Sequence, residues 1–244
     1  MTSSAPSSSA PVLAAKRYTP PQDPLRLLYE DEDCLVFSKP SGLLSVPGKT
    51  ADLADCMESR ARALYPEALT IHRLDMETSG VYLMARHKKA QAYFGLQFER
   101  RTTQKTYIAL VSGHPEAESG EVALPLRCDW PNRPRQMVCH EHGRNAQTHW
   151  RVLDRLMYGA DRANKGAEAA DIAAARLELK PVTGRSHQLR VHCAAIGHPI
   201  LGDPFYAPDD IFRAAPRLCL HAQSLSIPHP QGGMLINFTD DCPF

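Results

Sequence analysis

Three short stretches of the sequence carry side chains able to do chemistry. The first is His72-Arg73-Leu74-Asp75, followed by Thr78-Ser79. A carboxylate on a loop, with a guanidinium nearby and hydroxyls close behind, can act as nucleophile or general base. Its plainer role is a capping aspartate beside a salt bridge. The second runs Thr183-Gly184-Arg185-Ser186-His187-Gln188-Leu189-Arg190-Val191-His192. A glycine ahead of a helix start, free backbone N–H groups and Arg185 make an anion site; an ordinary capped helix with solvated arginines is the alternative. Arg190 falls one turn into that helix. If it reaches Asp75 it would keep the carboxylate ionised and oriented, since a neighbouring cation lowers a carboxyl pKa. The third is Lys105-Thr106-Tyr107, whose tyrosine is either a core residue of a strand or an aromatic positioned for a base or a reacting carbon. A metal reading gathers His187, His192, His198 and Asp203. Helical ligation needs a spacing of three or four residues. His187 and His192 are five apart, about 140° from a shared face, so metal is disfavoured.

These groups need a framework. Residues 25–29 and 34–38 read as strands around an acidic turn, and Lys39-Pro40-Ser41-Gly42 ends the second, because proline cannot donate to a ladder. Residues 53–64 read as a helix with Leu53, Met57, Ala61 and Leu64 on one stripe. The Asp75 loop then leads into a short strand at 81–85, a helix at 87–98 and a strand at 105–111, with Tyr107, Ala109 and Val111 on one face. Trp130-Pro131-Asn132-Arg133-Pro134-Arg135 is a stiff, basic loop carrying an aromatic ring. Residues 160–170, small and polar, read as a flexible excursion, and 175–180 as a strand closed by Pro181. Ser186 as N-cap and Gly197 as C′ residue bracket a helix at 187–196. Strands and helices mix without a βαβ rhythm, and no glycine-rich nucleotide fingerprint appears. That pattern predicts an α+β fold with a largely antiparallel sheet.

Composition narrows the function class. In 244 residues, 43% are hydrophobic and 23% charged, which allows an ordinary core. No apolar run is long enough to span a bilayer. Seven cysteines form no C-x-x-C pair, which favours reduced thiols and a cytoplasmic protein. Residues 1–20 read as a disordered Ser/Ala/Pro-rich tail; its lack of acids leaves an organelle transit peptide open. The net charge of +1 hides segregation: residues 22–58 carry −5, whereas 59–105 carry +5 and 127–155 carry +3. Brought together, the basic segments would make a face suited to phosphates; paired with the acidic flanks, they would be an ordinary solvated surface.

In this order, the blocks resemble the RluA-type pseudouridine synthases. The resemblance runs from about residue 21 to the end. It rests on Lys39-Pro40-Ser41-Gly42-Leu43, His72-Arg73-Leu74-Asp75, Lys105-Thr106-Tyr107, and the block from Gly184 into Gly197-His198-Pro199-Ile200-Leu201-Gly202-Asp203. Asp129-Trp130-Pro131-Asn132-Arg133-Pro134 resembles the short members with dual RNA specificity. The resemblance implies a mixed, mostly antiparallel sheet with flanking helices, split by an active-site cleft, in a single catalytic domain at 21–244 without the N-terminal S4 domain of many relatives. Asp75 would be the essential aspartate, Tyr107 the active-site tyrosine, Arg190 the arginine that pairs with the aspartate, and Arg73 the arginine that helps displace the target base. Substrate binding would fall to Arg73, Arg133, Arg185, His187 and Gln188, with backbone grip from Arg100, Arg101, Lys105 and Arg135 as well.

The implied partner is RNA, as a 23S rRNA hairpin, a tRNA anticodon stem-loop, or both. A monomer off the membrane is expected. Isomerising uridine breaks N1–C1′ and joins C5 to C1′ within one pocket, so neither cofactor nor metal is expected. A stacked uridine must first be extruded. The alternative is a non-catalytic RNA-binding or chaperone module of the same fold.

Overall fold

In a computed structural model of the protein, which describes residues 18–159 and 171–244, strands dominate. The 1–20 tail, up to residue 17, and the 160–170 excursion lie outside the described residues. Strand β1 (Arg26–Glu30) turns into β2 (Cys34–Lys39) at Asp31, whose Oδ1 accepts the backbone N–H groups of Asp33 and Cys34 at 2.8 Å. That side-chain turn brings the two strands into antiparallel register.

The helix expected over 53–64 is shorter than its apolar stripe. A 3-10 turn covers Ala51–Leu53, and α1 (Met57–Leu64) begins only after Cys56. Cys56 Sγ accepts the Ser59 N–H and Ser59 Oγ accepts the Cys56 N–H, a capping box that starts the helix there. Met57 and Ala61 are buried, but Leu64 is 61% exposed, so the stripe ends before it.

The chain continues through β3 (Leu69–Thr70), β4 (Ser79–Ala85), α2 (Lys88–Arg100), β5 (Gln104–Ser112) and β6 (Ser119–Val122). A small hairpin of β7 (Leu126–Cys128) and β8 (Gln136–Val138) carries the proline-rich loop. Then come β9 (Thr148–Tyr158), β10 (Ile172–Pro181), α3 (Gln188–Ala195), α4 (Asp209–Ala214), β11 (Leu220–Pro228) and β12 (Leu235–Thr239). The main sheet runs β1-β2-β4-β11-β5-β10-β9-β6, with β12 on β11 and β3 on β4. Among the described strands β4 and β11 pair in parallel, and the other pairs are antiparallel. At that seam Gly80, at φ +115°, lies so close to Ala222 that a Cβ would meet the Ala222 carbonyl oxygen at 2.3 Å.

The two-residue period of β2 and β4 builds two cores at once. Val36, Val81 and Leu83 pack with Ala90 and Phe94 of α2, while Leu35, Phe37, Tyr82 and Met84 pack with Met57 and Ala61 of α1. Beyond β11, Leu110, Leu177 and Leu179 enclose Leu189 and Cys193 of α3. Strand β11 thus joins two half-sheets, each with its own apolar packing.

Candidate active site

A cleft of about 1150 Å³ opens between the Asp75 loop, β5, the start of α3 and the β7–β8 hairpin. Its first wall is the irregular stretch between β3 and β4. This loop is tied down on both sides of Asp75. Ser45 Oγ accepts the Leu74 N–H at 3.0 Å and donates to the Leu74 carbonyl at 2.6 Å. Lys39, fully buried, donates from Nζ to the carbonyls of Pro40, Met76 and Thr78 at 3.0, 2.8 and 2.8 Å. His72 Nε2 accepts the Leu83 N–H at 3.0 Å, and its ring stacks on Phe98. The backbone around Asp75 therefore has little freedom, while the Asp75 side chain keeps 28% of its surface open to the cleft.

Burial, with the charge of Lys105 adding to it, lowers the His72 pKa to about 4, so this ring is neutral. Burial likewise lowers Lys39 to about 7, against the pull of Glu77 and Asp75. Tyr107 on β5 faces the same cleft; burial first, then the Asp75 charge, pushes its pKa upward, and it enters as a phenol.

Arg190 reaches the cleft from the first turn of α3, with only 2% of its side chain exposed. Its Nη1 lies 3.7 Å from Asp75 Oδ2, an ion pair too long for a hydrogen bond. Its Nε and Nη2 donate to the two oxygens of Asp203, each at 2.7 Å. Burial alone would lower the Arg190 pKa; the hydrogen bonds and charge of Asp203, joined by Asp75, override it and raise the pKa. Asp203, weighed in the sequence as a metal ligand, is therefore the bidentate partner of Arg190.

The start of α3 departs from the sequence reading. Ser186 is not the N-cap. His187 is, at φ 52°, and it makes no side-chain cap. Its Nδ1 shares a 2.7 Å hydrogen bond with Tyr206 Oη. Gln188, expected to bind substrate, lines the cleft but turns its amide to the protein. Its Oε1 accepts from Thr183 Oγ1 and the Arg185 N–H, and its Nε2 donates to Gln147 O and Thr148 Oγ1. With those four bonds its amide has no free hydrogen, and it braces the turn that carries Arg185. His192 and His198 also point elsewhere, bonding to Thr148 and Leu124 and to Ser112. The four residues of the metal reading thus serve separate partners. Asp31, Cys34 and His229 bring ligand atoms within 4.8 Å, but none of them lines the cleft.

Cations surround the opening. Arg73, Arg101, Lys105, Arg133, Arg144 and Arg185 all line it. Arg73 is exposed beside Asp75. Arg133 stacks over the Trp130 ring at 4.2 Å, and Arg135 lies 5.6 Å from the Tyr206 ring. Arg144 was missed in the sequence because it stands outside every motif; Arg100, counted there, is not part of the lining. Glu77 and Glu99 share this lining with Asp75, and the cations outnumber them. The arrangement offers a seated carboxylate, a phenol and a buried guanidinium inside a positive mouth, suited to a polyanion with one reacting nucleotide inserted.

Comparison with known proteins points the same way. The family model described as RNA pseudouridylate synthase matches residues 33–195. The dual-specificity RNA pseudouridine synthase RluA of Vibrio vulnificus is 48% identical over 95% of this chain and 89% of its own. That of Escherichia coli K12 is 48% identical over 95% of this chain and all of its own. Among solved structures, human RNA pseudouridylate synthase domain containing 1 superposes with a TM-score of 0.72 at 30% identity, covering 89% of this chain and 83% of that one. Sequence, fold and family model agree over the cleft, and this chain belongs to the RNA pseudouridylate synthase family, isomerases that convert uridine in RNA to pseudouridine.

Proposed function

We propose that Asp75 is the catalytic carboxylate, with Tyr107 and Arg190 beside it. The chain would act on two classes of RNA, a 23S rRNA hairpin and a tRNA anticodon stem-loop. The two-substrate reading is supported by likeness to synthases named as dual-specificity. The observation that carries the site is the convergence of Asp75, Tyr107 and Arg190, from three distant stretches of chain, on one cleft.

In this reading Arg73, at the mouth, displaces the stacked uridine and fills the gap it leaves. Asp75 then serves the sugar or ring while N1–C1′ breaks and C5–C1′ forms. Tyr107, held as a phenol, packs against the inserted ring and offers an O–H beside Asp75. Arg133 and Arg185, with the other cations of the rim, hold phosphates. His187 supports the rim through Tyr206 and presents its ring to the cleft. Residues 21–244 work as one catalytic domain, as a monomer in the cytoplasm; among the described residues no helix is long and apolar enough to cross a membrane.

The test is tritium release from RNA carrying C5-tritiated uridine. Wild type releases tritium and Asp75→Asn does not, while both bind the RNA. Equal release by the two would overturn the assignment of Asp75. Mapping pseudouridine in a deletion strain tests the substrates: loss from both 23S rRNA and tRNA is expected, and loss from one alone removes the dual reading.

A further inference from the structure

We propose that Asp203 is a positioning residue that sets how Arg190 meets Asp75; this rests on the roles given above to Asp75 and Arg190. A guanidinium carries a planar fork of donors that fits a carboxylate edge-on. Arg190 has two carboxylates beside it, Asp203 and Asp75, and the structure gives the fork to Asp203. Nε and Nη2 are both used at 2.7 Å, leaving Nη1 toward Asp75 at 3.7 Å.

The same carboxylate builds the rest of the socket. Asp203 Oδ1 also accepts the N–H groups of Phe205 and Tyr206 at 2.8 and 3.1 Å. Those two rings lie 5.1 and 5.2 Å from the Arg190 guanidinium carbon. Asp203 is itself fixed: it is fully buried, and Gly202 before it sits at φ +73° with its Cα against the Arg217 carbonyl. A Cβ there would meet that oxygen at 1.9 Å. One buried anion thus holds the cation and the two rings that flank it.

The consequence is restraint as well as support. Without Asp203, the arginine fork would be free to close on Asp75 and occupy both of its oxygens, the lone pairs the reaction needs. With Asp203 in place, Arg190 supplies positive charge beside Asp75 while leaving that carboxylate free to reach the nucleotide.

A double-mutant cycle tests this with the full-length protein. Asp203→Asn, Arg190→Lys and the double variant are compared by single-turnover tritium release at saturating RNA and by RNA affinity. Asp203→Asn is expected to slow release about tenfold or more, with affinity within about threefold of wild type. In the Arg190→Lys background the same substitution is expected to cost less than about threefold, because its effect passes through the arginine fork. A wild-type rate for Asp203→Asn, losses that multiply in the double variant, or parallel loss of rate and RNA affinity would each overturn the proposal. Should Asp203→Asn give no folded protein, Asp203→Glu carries the test, since it keeps the charge but displaces it: a slowed rate at unchanged affinity supports the proposal and a wild-type rate overturns it. Asp75→Asn is the reference. If it still releases tritium, the reading of the site has failed; if it is inactive while Asp203→Asn runs at the wild-type rate, only the positioning inference has.

Discussion

Around Asp75 the side chains divide into those that line the cleft and those that hold them. Tyr107 belongs to the first group. Burial keeps its proton on, so its oxygen works as a donor. Tyr107→Phe removes the oxygen and little volume. It is expected to lower single-turnover tritium release by about 10²-fold, in the range of a lost acid–base group, with RNA affinity unchanged. In the proposed function Arg73 acts before the chemistry. Arg73→Ala is expected to slow modification of a stacked loop uridine more than of a uridine in an unstructured oligonucleotide; equal slowing in rate assays on both would remove it from extrusion. That Asp75, Tyr107 and Arg190 belong to one cleft was legible in the sequence because each sits inside a motif of recognisable order. Asp203 was visible as a ligand-type residue and as the end of a motif block, with no partner assigned to it. Its pairing with Arg190 joins the start of α3 to the turn before α4, and sequence spacing does not predict which carboxylate a buried guanidinium will take.

At the scale of elements, the Asp75 loop depends on Lys39 and Ser45. Both lie outside the stretches whose side chains suggested chemistry. The sequence showed Lys39-Pro40-Ser41-Gly42 as a strand ending, and the strand does end at Lys39. Its ammonium, however, turns inward to three carbonyls, a role that depends on the Asp75 loop folding across it. Lys39→Met leaves those carbonyls without their donor and is expected to cost about 2–3 kcal/mol, read by urea unfolding. The pH dependence has a definite sign. The folded-state pKa of about 7 lies below the ordinary lysine value, so the unfolded chain holds the extra proton between about 7 and about 10. The stability of wild type relative to Lys39→Met should therefore rise as pH increases through that window. A difference independent of pH would contradict the depressed pKa. The shortened α1 teaches the same lesson from the other side. Its apolar stripe was legible from Leu53, but the Cys56–Ser59 capping box decided where the helix begins.

Across the whole molecule, charge and burial set the response to solvent. Burial is the leading cause of lowered pKa values at His72, His187, His192 and His221. Each is neutral in the folded state and gains a proton more readily once unfolded, at about 6.5. Their contribution is complete above that pH and is lost as pH falls, through about 4 for His72. The thermal midpoint is expected to drop between pH 7 and pH 5, and a flat profile would mean these rings are not held neutral. At the cleft, cations from five separate stretches share one mouth. RNA affinity should fall steeply with salt, and Arg144→Ala and Arg185→Ala should each make that slope shallower by about one unit in a log–log plot. The amino-acid sequence by itself determined which side chains were candidates for the chemistry, the α+β class, the predominantly antiparallel sheet and the separation of charge. These depend on residue type, local period and order along the chain. Only the tertiary structure decided that Arg190 gives its fork to Asp203 rather than Asp75, that Gln188 spends its amide on a turn, and that Lys39 holds the Asp75 loop. Each of those outcomes is a competition among buried polar groups for the nearest partner, settled by distances between segments that meet only when the sheet has closed.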